Sequence, residues 1–220
     1  MTTATDPPSA ADAPLPAGCL ARVQALMQGG GRRLLGIVGP PGAGKSTLAQ
    51  ALHRAVPTAS QVVPMDGFHL AQVELERLGR ADRKGAPDTF DALGFAALLE
   101  RLRQPRPSEV VYAPAFRREI EEPVAGAIAV RPETLLVIVE GNYLLLDDGP
   151  WARVAACLDE TWYVDVDDDL RRERLVQRHV RFGRSAEAAR AWVETTDEPN
   201  ARRIAATRAR AQWVLRWTGG

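Results

Sequence analysis

The chain has 220 residues, enough for one domain with a sizeable core, and its 28 basic side chains are balanced by 28 acidic ones. That balance removes the excess positive field on which a general nucleic-acid coat protein depends, and no apolar run approaches the ~18 residues of a membrane span. The two cysteines, Cys19 and Cys157, lie far apart in sequence and read as buried structural thiols rather than a disulfide framework or a zinc site. Residues 1–17 are rich in Ala, Pro and Thr and poor in large apolar side chains, so they read as a disordered tail. They lack the basic-then-apolar order of a secretory leader, which leaves a cytoplasmic location as the expectation. Residues 18–220 read as a single domain.

A helix is predicted over residues 19–27, where Leu20, Val23, Leu26 and Met27 recur at helical spacing before three glycines stop it. Residues 34–38 form a short apolar run of the kind buried on both faces in a parallel sheet. Similar runs follow at 61–64, 109–112, 135–139, 161–166 and 212–217. Helices are predicted at 45–55, 90–103, 168–182, 186–194 and 200–211. Strands alternating with helices imply crossover connections and a doubly wound, mainly parallel α/β sheet covered on both sides. Residues 113–134, interrupted by Pro114, Pro123 and Pro132, read as a hairpin excursion outside that sheet.

Directly after the first strand stands Gly39-Pro40-Pro41-Gly42-Ala43-Gly44-Lys45-Ser46, followed by Thr47 at the start of a helix. This is the GxxxxGK[ST] pattern in its strand–loop–helix context, the P-loop. Its glycines let backbone N–H groups turn toward phosphate oxygens, the helix end adds its dipole, Lys45 adds a full charge, and Ser46 can place a hydroxyl on Mg²⁺. No Asn-Lys-x-Asp motif is present, which excludes a guanine-nucleotide switch, and the strand at 135–139 ends in Glu140-Gly141 rather than in an Asp-Glu pair. Glu140 is a candidate Mg²⁺ ligand, directly or through water. Asp66 ends the second strand, which is expected to lie beside the P-loop strand and so to aim its carboxylate at the terminal phosphate.

Other residues fit an acceptor site. Arg83 and Lys84 suit an anionic or hydroxyl-rich molecule, and Asp88 a contact to it, whereas Asp91 reads as a helix N-cap. Tyr112 and Phe116 suit an apolar wall with Arg117 at its rim, and Phe68 and His69 flank Asp66. Each has a plainer reading as a solvated turn or a packing residue. Arg171, Arg174, Arg178 and Arg181 share one helix face by spacing, and Gly183 with Arg184 suits a hinge.

Together with the P-loop, Met65-Asp66-Gly67-Phe68-His69, Arg83-Lys84-Gly85-Ala86-Pro87-Asp88-Thr89-Phe90-Asp91 and Val139-Glu140-Gly141-Asn142-Tyr143 resemble the P-loop kinase group of uridine kinase, pantothenate kinase and phosphoribulokinase. Arg174-Leu175-Val176-Gln177-Arg178-His179 and Asp197-Glu198-Pro199-Asn200 extend the resemblance over about residues 20–217. It is closest to bacterial nucleoside/nucleotide kinase-like proteins, some labelled fructose transport system kinases. The resemblance implies an ATP- and Mg²⁺-dependent kinase acting on a small-molecule hydroxyl, with Asp66 as the base and Asn142 on the substrate side. It further implies a lid over about residues 168–195, with Arg174 and Arg178 on the transferring phosphoryl group, and a segment around Asn200 near the adenine. Pantothenate kinases are longer and carry histidine where this chain has Pro114, so nucleosides and sugars stay open beside pantothenate-like acceptors. Two alternatives remain at this point: a regulatory NTP-binding protein that hydrolyses slowly, and a nucleoside monophosphate kinase. Neither a nucleic acid nor a membrane is expected as partner, and oligomeric state is not readable.

Overall fold

The computed structural model describes residues 14–219. At its centre is a five-stranded, all-parallel sheet built from β1 (Arg33–Val38), β2 (Ser60–Pro64), β5 (Leu136–Gly141), β6 (Glu160–Asp165) and β7 (Trp213–Arg216) in the order β2-β5-β1-β6-β7. The mainly parallel α/β fold expected from the alternation of strands and helices is therefore present.

Strand residues alternate between two cores, as the two-residue period of a pleated strand requires. Leu34, Val38, Val63, Val137, Val139 and Tyr163 face one layer, where they meet α4 (Ala92–Arg103), α5 (Trp151–Ala156) and Ile204 of α8 (Glu198–Ala205). Leu35, Ile37, Val62, Leu136, Ile138, Trp162 and Val164 face the other, against α1 (Cys19–Gln28) and α2 (Lys45–Ala55). Every one of these strand side chains is buried, each contributing about 2 kcal/mol of transfer free energy. Both cysteines are buried and free, as expected.

The apolar run at 109–112 does not join the sheet. It enters β3 (Val111–Arg117), which pairs antiparallel with β4 (Glu122–Val130), so the excursion is a separate two-stranded hairpin with a register shift between Ala113 and Ala115. Two short helices were not anticipated, α3 (Gln72–Arg77) and α5; at six residues each they carry too little periodicity to stand out. α6 (Asp168–Arg181) and α7 (Ala186–Trp192) match the expected lid helices in extent, and a π-helical turn (Val193–Asp197) joins α7 to α8. The helix expected over 200–211 starts earlier and ends at Ala205, with a 3-10 turn (Arg208–Arg210) beyond it. Of the expected tail, residues 1–13 lie outside the described residues, while Leu15 packs on the second core.

One expectation about topology is corrected. β2 is not beside the P-loop strand; β5 lies between them, with Ile37 of β1 opposite Glu140 and Pro64 of β2 opposite the same Glu140. Glu140 thus stands centrally at the carboxyl edge of the sheet, and Asp66 reaches in from the strand beyond it.

Candidate active site

The P-loop runs from the end of β1 into α2. Gly42 (φ 80°) and Gly44 (φ 84°) are left-handed, a conformation that side chains with a Cβ rarely adopt. A Cβ on Gly42 would also lie 2.8 Å from the Arg171 carbonyl oxygen and 2.9 Å from Leu175, because α6 packs directly onto the loop. Lys45, buried at the first turn of α2, donates from Nζ to the Pro40 carbonyl (3.0 Å). The next residue, Ser46, donates from Oγ to Glu140 Oε1 at 3.0 Å. A hydroxyl and a carboxylate that meet at a phosphate-binding loop suit a hard cation such as Mg²⁺, which takes few protein ligands and completes its shell with phosphate and water oxygens.

Burial sets the charges here against one another. Loss of solvent pushes the Lys45 ammonium down to about 8, with Glu140 and Asp66 pulling it back, and pushes the Glu140 carboxyl up to about 6, with nearby Asp66 adding to the rise. Asp66 sits in a 3-10 turn (Met65–Phe68) directly after β2. That turn carries Gly67 because a Cβ there would run into the Pro114 carbonyl of the hairpin, so the hairpin clamps the turn from outside. His69 completes the turn: its Nδ1 lies 2.8 Å from the Asp66 carbonyl, which can only accept, so Nδ1 carries the proton. Burial lowers the pKa of this imidazole, and its ring packs 4.0 Å from that of Phe90 and 4.8 Å from that of Phe116.

A cavity of about 540 Å³ joins these groups, within the range of small-molecule sites. Of the sequence-derived phosphate residues, Pro41, Gly42, Lys45 and Ser46 line it; Gly39, Pro40, Ala43 and Gly44 of the loop and Thr47 in the first turn of α2 are not part of the lining. Asp66, His69, Phe116, Lys84, Glu140, Asn142 and Arg178 also line it, along with Asn200. Lys84 donates to the Glu121 carbonyl (2.6 Å) and lies 3.4 Å from Gln72 Oε1, which ties the segment before α4 to the hairpin turn. Tyr143 supports the same segment from beneath, donating to the Gly85 carbonyl at 2.5 Å.

Several expected residues stand elsewhere. Arg83 and Asp88 pair with each other at 2.7 Å outside the cavity. Tyr112 is 60% exposed on the hairpin and forms no wall, and Phe68 packs into the core against Phe95. Arg117 points to solvent; its neighbour Arg118, in the hairpin turn, enters the cavity and comes within 3.6 Å of Asp66. The register shift at Ala113/Ala115 and the turn that follows break the alternation by which Arg117 was chosen. Asp91 caps α4 as expected, accepting from Gly94 N at 2.8 Å.

The four arginines that share a face of α6 separate in their contacts. Arg171 is buried and pairs with Glu198 at 2.5 Å and Asp168 at 3.0 Å, anchoring the helix to α8. Arg174 donates to the Thr218 carbonyl at 2.6 Å and does not reach the cavity, so its expected place at the transferring group is not met in this arrangement. Arg181 is exposed. Arg178 does enter the cavity and has no hydrogen-bond or ion-pair partner among the described residues; burial and the nearby Arg118 both depress its pKa. Beyond it Arg184 stacks 3.9 Å over Trp192, and Asp197 of the π-helical turn meets His179 at 2.9 Å. Trp192, Gln72 and Thr196 also line the cavity and were not singled out from sequence; a tryptophan ending one short helix and a glutamine starting another carry no motif by which to find them.

Comparisons with known proteins agree on the kind of molecule. The model of the phosphoribulokinase/uridine kinase family matches residues 34–215. An ATP-dependent kinase-like protein, notR′ of Aspergillus versicolor, is 39% identical over 69% of this chain and 92% of its own. The uncharacterized protein YggC of Escherichia coli K12 is 36% identical over 85% of this chain and 78% of its own. Among solved structures, a protein of Silicibacter sp. TM1040 provisionally named a fructose transport system kinase superposes with a TM-score of 0.76 at 41% identity, covering 87% of this chain and 97% of that one.

Proposed function

Because the chain belongs to the phosphoribulokinase/uridine kinase family of P-loop kinases, we propose that it transfers the γ-phosphate of ATP, with Mg²⁺, to a hydroxyl of a small metabolite, Asp66 taking the proton. The observation that carries this reading is the convergence in one cavity of the P-loop lysine, the Ser46–Glu140 pair, a carboxylate from a second strand end and the guanidinium of Arg178. Phosphoryl transfer requires little covalent work from the protein, so positioning and charge stabilisation are what these residues supply.

Lys45 and the loop amides hold the phosphate tail. Ser46 and Glu140 would hold Mg²⁺, which would supply positive charge to neutralise the phosphate oxygens. Asp66 orients the acceptor hydroxyl and accepts its proton as the new O–P bond forms and the bond to the ADP oxygen breaks. Arg178 balances charge spread over the transferring group. It stands on α6, whose base is held by Arg171 to α8 and packed on Gly42, and whose outer end meets Asp197 through His179.

An ADP-release screen over nucleosides, sugars, vitamins and nucleoside monophosphates tests the reading. One class is expected to raise turnover, and Asp66→Asn to lower that rate by roughly 10²–10⁴-fold while nucleotide binding is kept. Full activity of Asp66→Asn on the best acceptor would refute the base role. Nucleotide binding with no acceptor-dependent rate on any class would favour an accessory NTP-binding protein.

A further inference from the structure

Two cations in the cavity are not accounted for by nucleotide chemistry. Lys84 comes from the segment before α4 and Arg118 from the hairpin turn, and both border the Phe116 side of the cavity, with Lys84 Nζ 5.6 Å and the Arg118 guanidinium 6.0 Å from the centre of that ring. The hydrogen bonds of Lys84 go to two neutral oxygens, the Glu121 carbonyl and Gln72 Oε1. Among the described residues the ion pair of Arg118 is with Asp66, at 3.6 Å and without a hydrogen bond. Neither cation has a carboxylate in direct hydrogen-bond contact among the described residues, so both are available to an anion entering the cavity.

Their fields also overlap at one point. His69, between Asp66 and Phe116, has its pKa lowered first by burial, and both Lys84 and Arg118 lower it further. A neutral imidazole with its proton on Nδ1 presents a bare Nε2, so the aromatic wall offers no positive charge of its own. Of the carboxylates nearby, Glu140 accepts from Ser46, Asp197 meets His179, and Asp66 stands 3.6 Å from Arg118, with Glu121 also lining the cavity.

We infer that the acceptor is an anionic alcohol, whose carboxylate or phosphate group is received by Lys84 and Arg118 against the Phe116 ring while its hydroxyl is presented to Asp66. The inference rests on the kinase reading for the role of Asp66, but not for the anion site itself. Arg118 also serves orientation in this arrangement, since an anion bound to it draws the guanidinium off Asp66 and frees that carboxylate for the hydroxyl.

The protein saturated with Mg²⁺ and a nonhydrolysable ATP mimic, so that the P-loop is filled, is titrated calorimetrically with inorganic phosphate. Binding is expected, weakened about tenfold or more in both Lys84→Gln and Arg118→Gln, and unchanged in Arg101→Gln, which removes one positive charge away from the cavity. Thermal melts show whether each variant is folded, and Arg118→Gln serves where loss of the Lys84–Glu121 tie disturbs the hairpin. Matched acceptors form the second arm: glycerate against glycerol, pantothenate against its alcohol, and ribulose 5-phosphate against ribulose. The charged member of a pair is expected to have the lower KM, with the two variants raising KM for it by more than they change KM for the neutral member; the hydroxy acids and the sugar phosphate separate the two kinds of anion. Preference for neutral members, or phosphate binding indifferent to both variants, overturns the inference while leaving the kinase reading intact. Phosphate binding that both variants weaken, with turnover on no acceptor, supports the anion site and sinks the kinase reading instead.

Discussion

Lys45→Met is expected to make the nucleotide-free protein more stable and to abolish its stabilisation by nucleotide. Burial lowers the lysine pKa from 10.5 to about 8, a difference that already includes the attraction of Glu140 and Asp66. With ~1.4 kcal/mol per pKa unit, holding this ammonium charged at pH 7 costs the folded state about 3 kcal/mol. Methionine keeps the stem and loses the hydrogen bond to the Pro40 carbonyl, worth about 1 kcal/mol, so a net gain of about 2 kcal/mol is expected at pH 7. The sign with pH is definite. A lysine whose folded pKa is depressed destabilises most below the folded value, and the penalty disappears as pH rises through the window from about 8 to 10.5, where the unfolded chain still binds the proton. Urea denaturation of both proteins at several pH values from 7 to 10.5 should show the advantage of Lys45→Met shrinking and then reversing, as the charge penalty vanishes and the lost hydrogen bond of about 1 kcal/mol remains. The same melts with Mg·ATP should show stabilisation of the parent only. A variant less stable than the parent at pH 7, or a gap that ignores pH, would refute the claim that the loop holds a strained charge for its ligand.

The remaining expectations concern the metal pair and α6. Since burial raises the Glu140 carboxyl to about 6, a proton competes with the metal below that value; Mg²⁺-dependent nucleotide affinity should fall as pH drops from 7 to 5, and Glu140→Gln should remove the dependence along with most of the affinity. Arg178→Ala should lower the phosphoryl-transfer rate by roughly 10²-fold or more, whereas Arg174→Ala, whose side chain holds Thr218 away from the cavity, should change it less than tenfold; comparable losses in single-turnover assays would show that α6 rearranges on closure. Arg171→Met should destabilise the fold by about 3 kcal/mol in denaturant, because Glu198 stays buried beside a lost partner. A change below about 0.5 kcal/mol would mean that Arg172, which also pairs with Glu198, carries that contact alone.

Local chemistry made much of this protein legible before any coordinates. The P-loop is a contiguous string whose glycines, lysine and serine are each required by the backbone turn or by phosphate, so eight adjacent letters suffice. The strands are apolar on both faces because helices cover both, and α2 begins and ends where its pattern does. The Asp91 cap is equally local. The six-residue helices and the residues of the π-helical turn were illegible because so short a segment takes its conformation from what it packs against.

By itself the chain's order of residues determined the α/β class, the phosphate cradle and the candidacy of Ser46 and Glu140 for the metal, since these depend on backbone period and on residues next to one another, while the base role of Asp66 came from the family resemblance. Tertiary structure alone decided which strand neighbours the P-loop, and so that Glu140 rather than Asp66 stands against Ser46. It also decided that Arg118 turns inward while Arg117 does not, and that of the arginines on α6 only Arg178 remains unpaired in the cavity. Strand order, a shifted register and the partner each guanidinium finds are set by contacts between segments distant along the chain, and no local spacing carries that information.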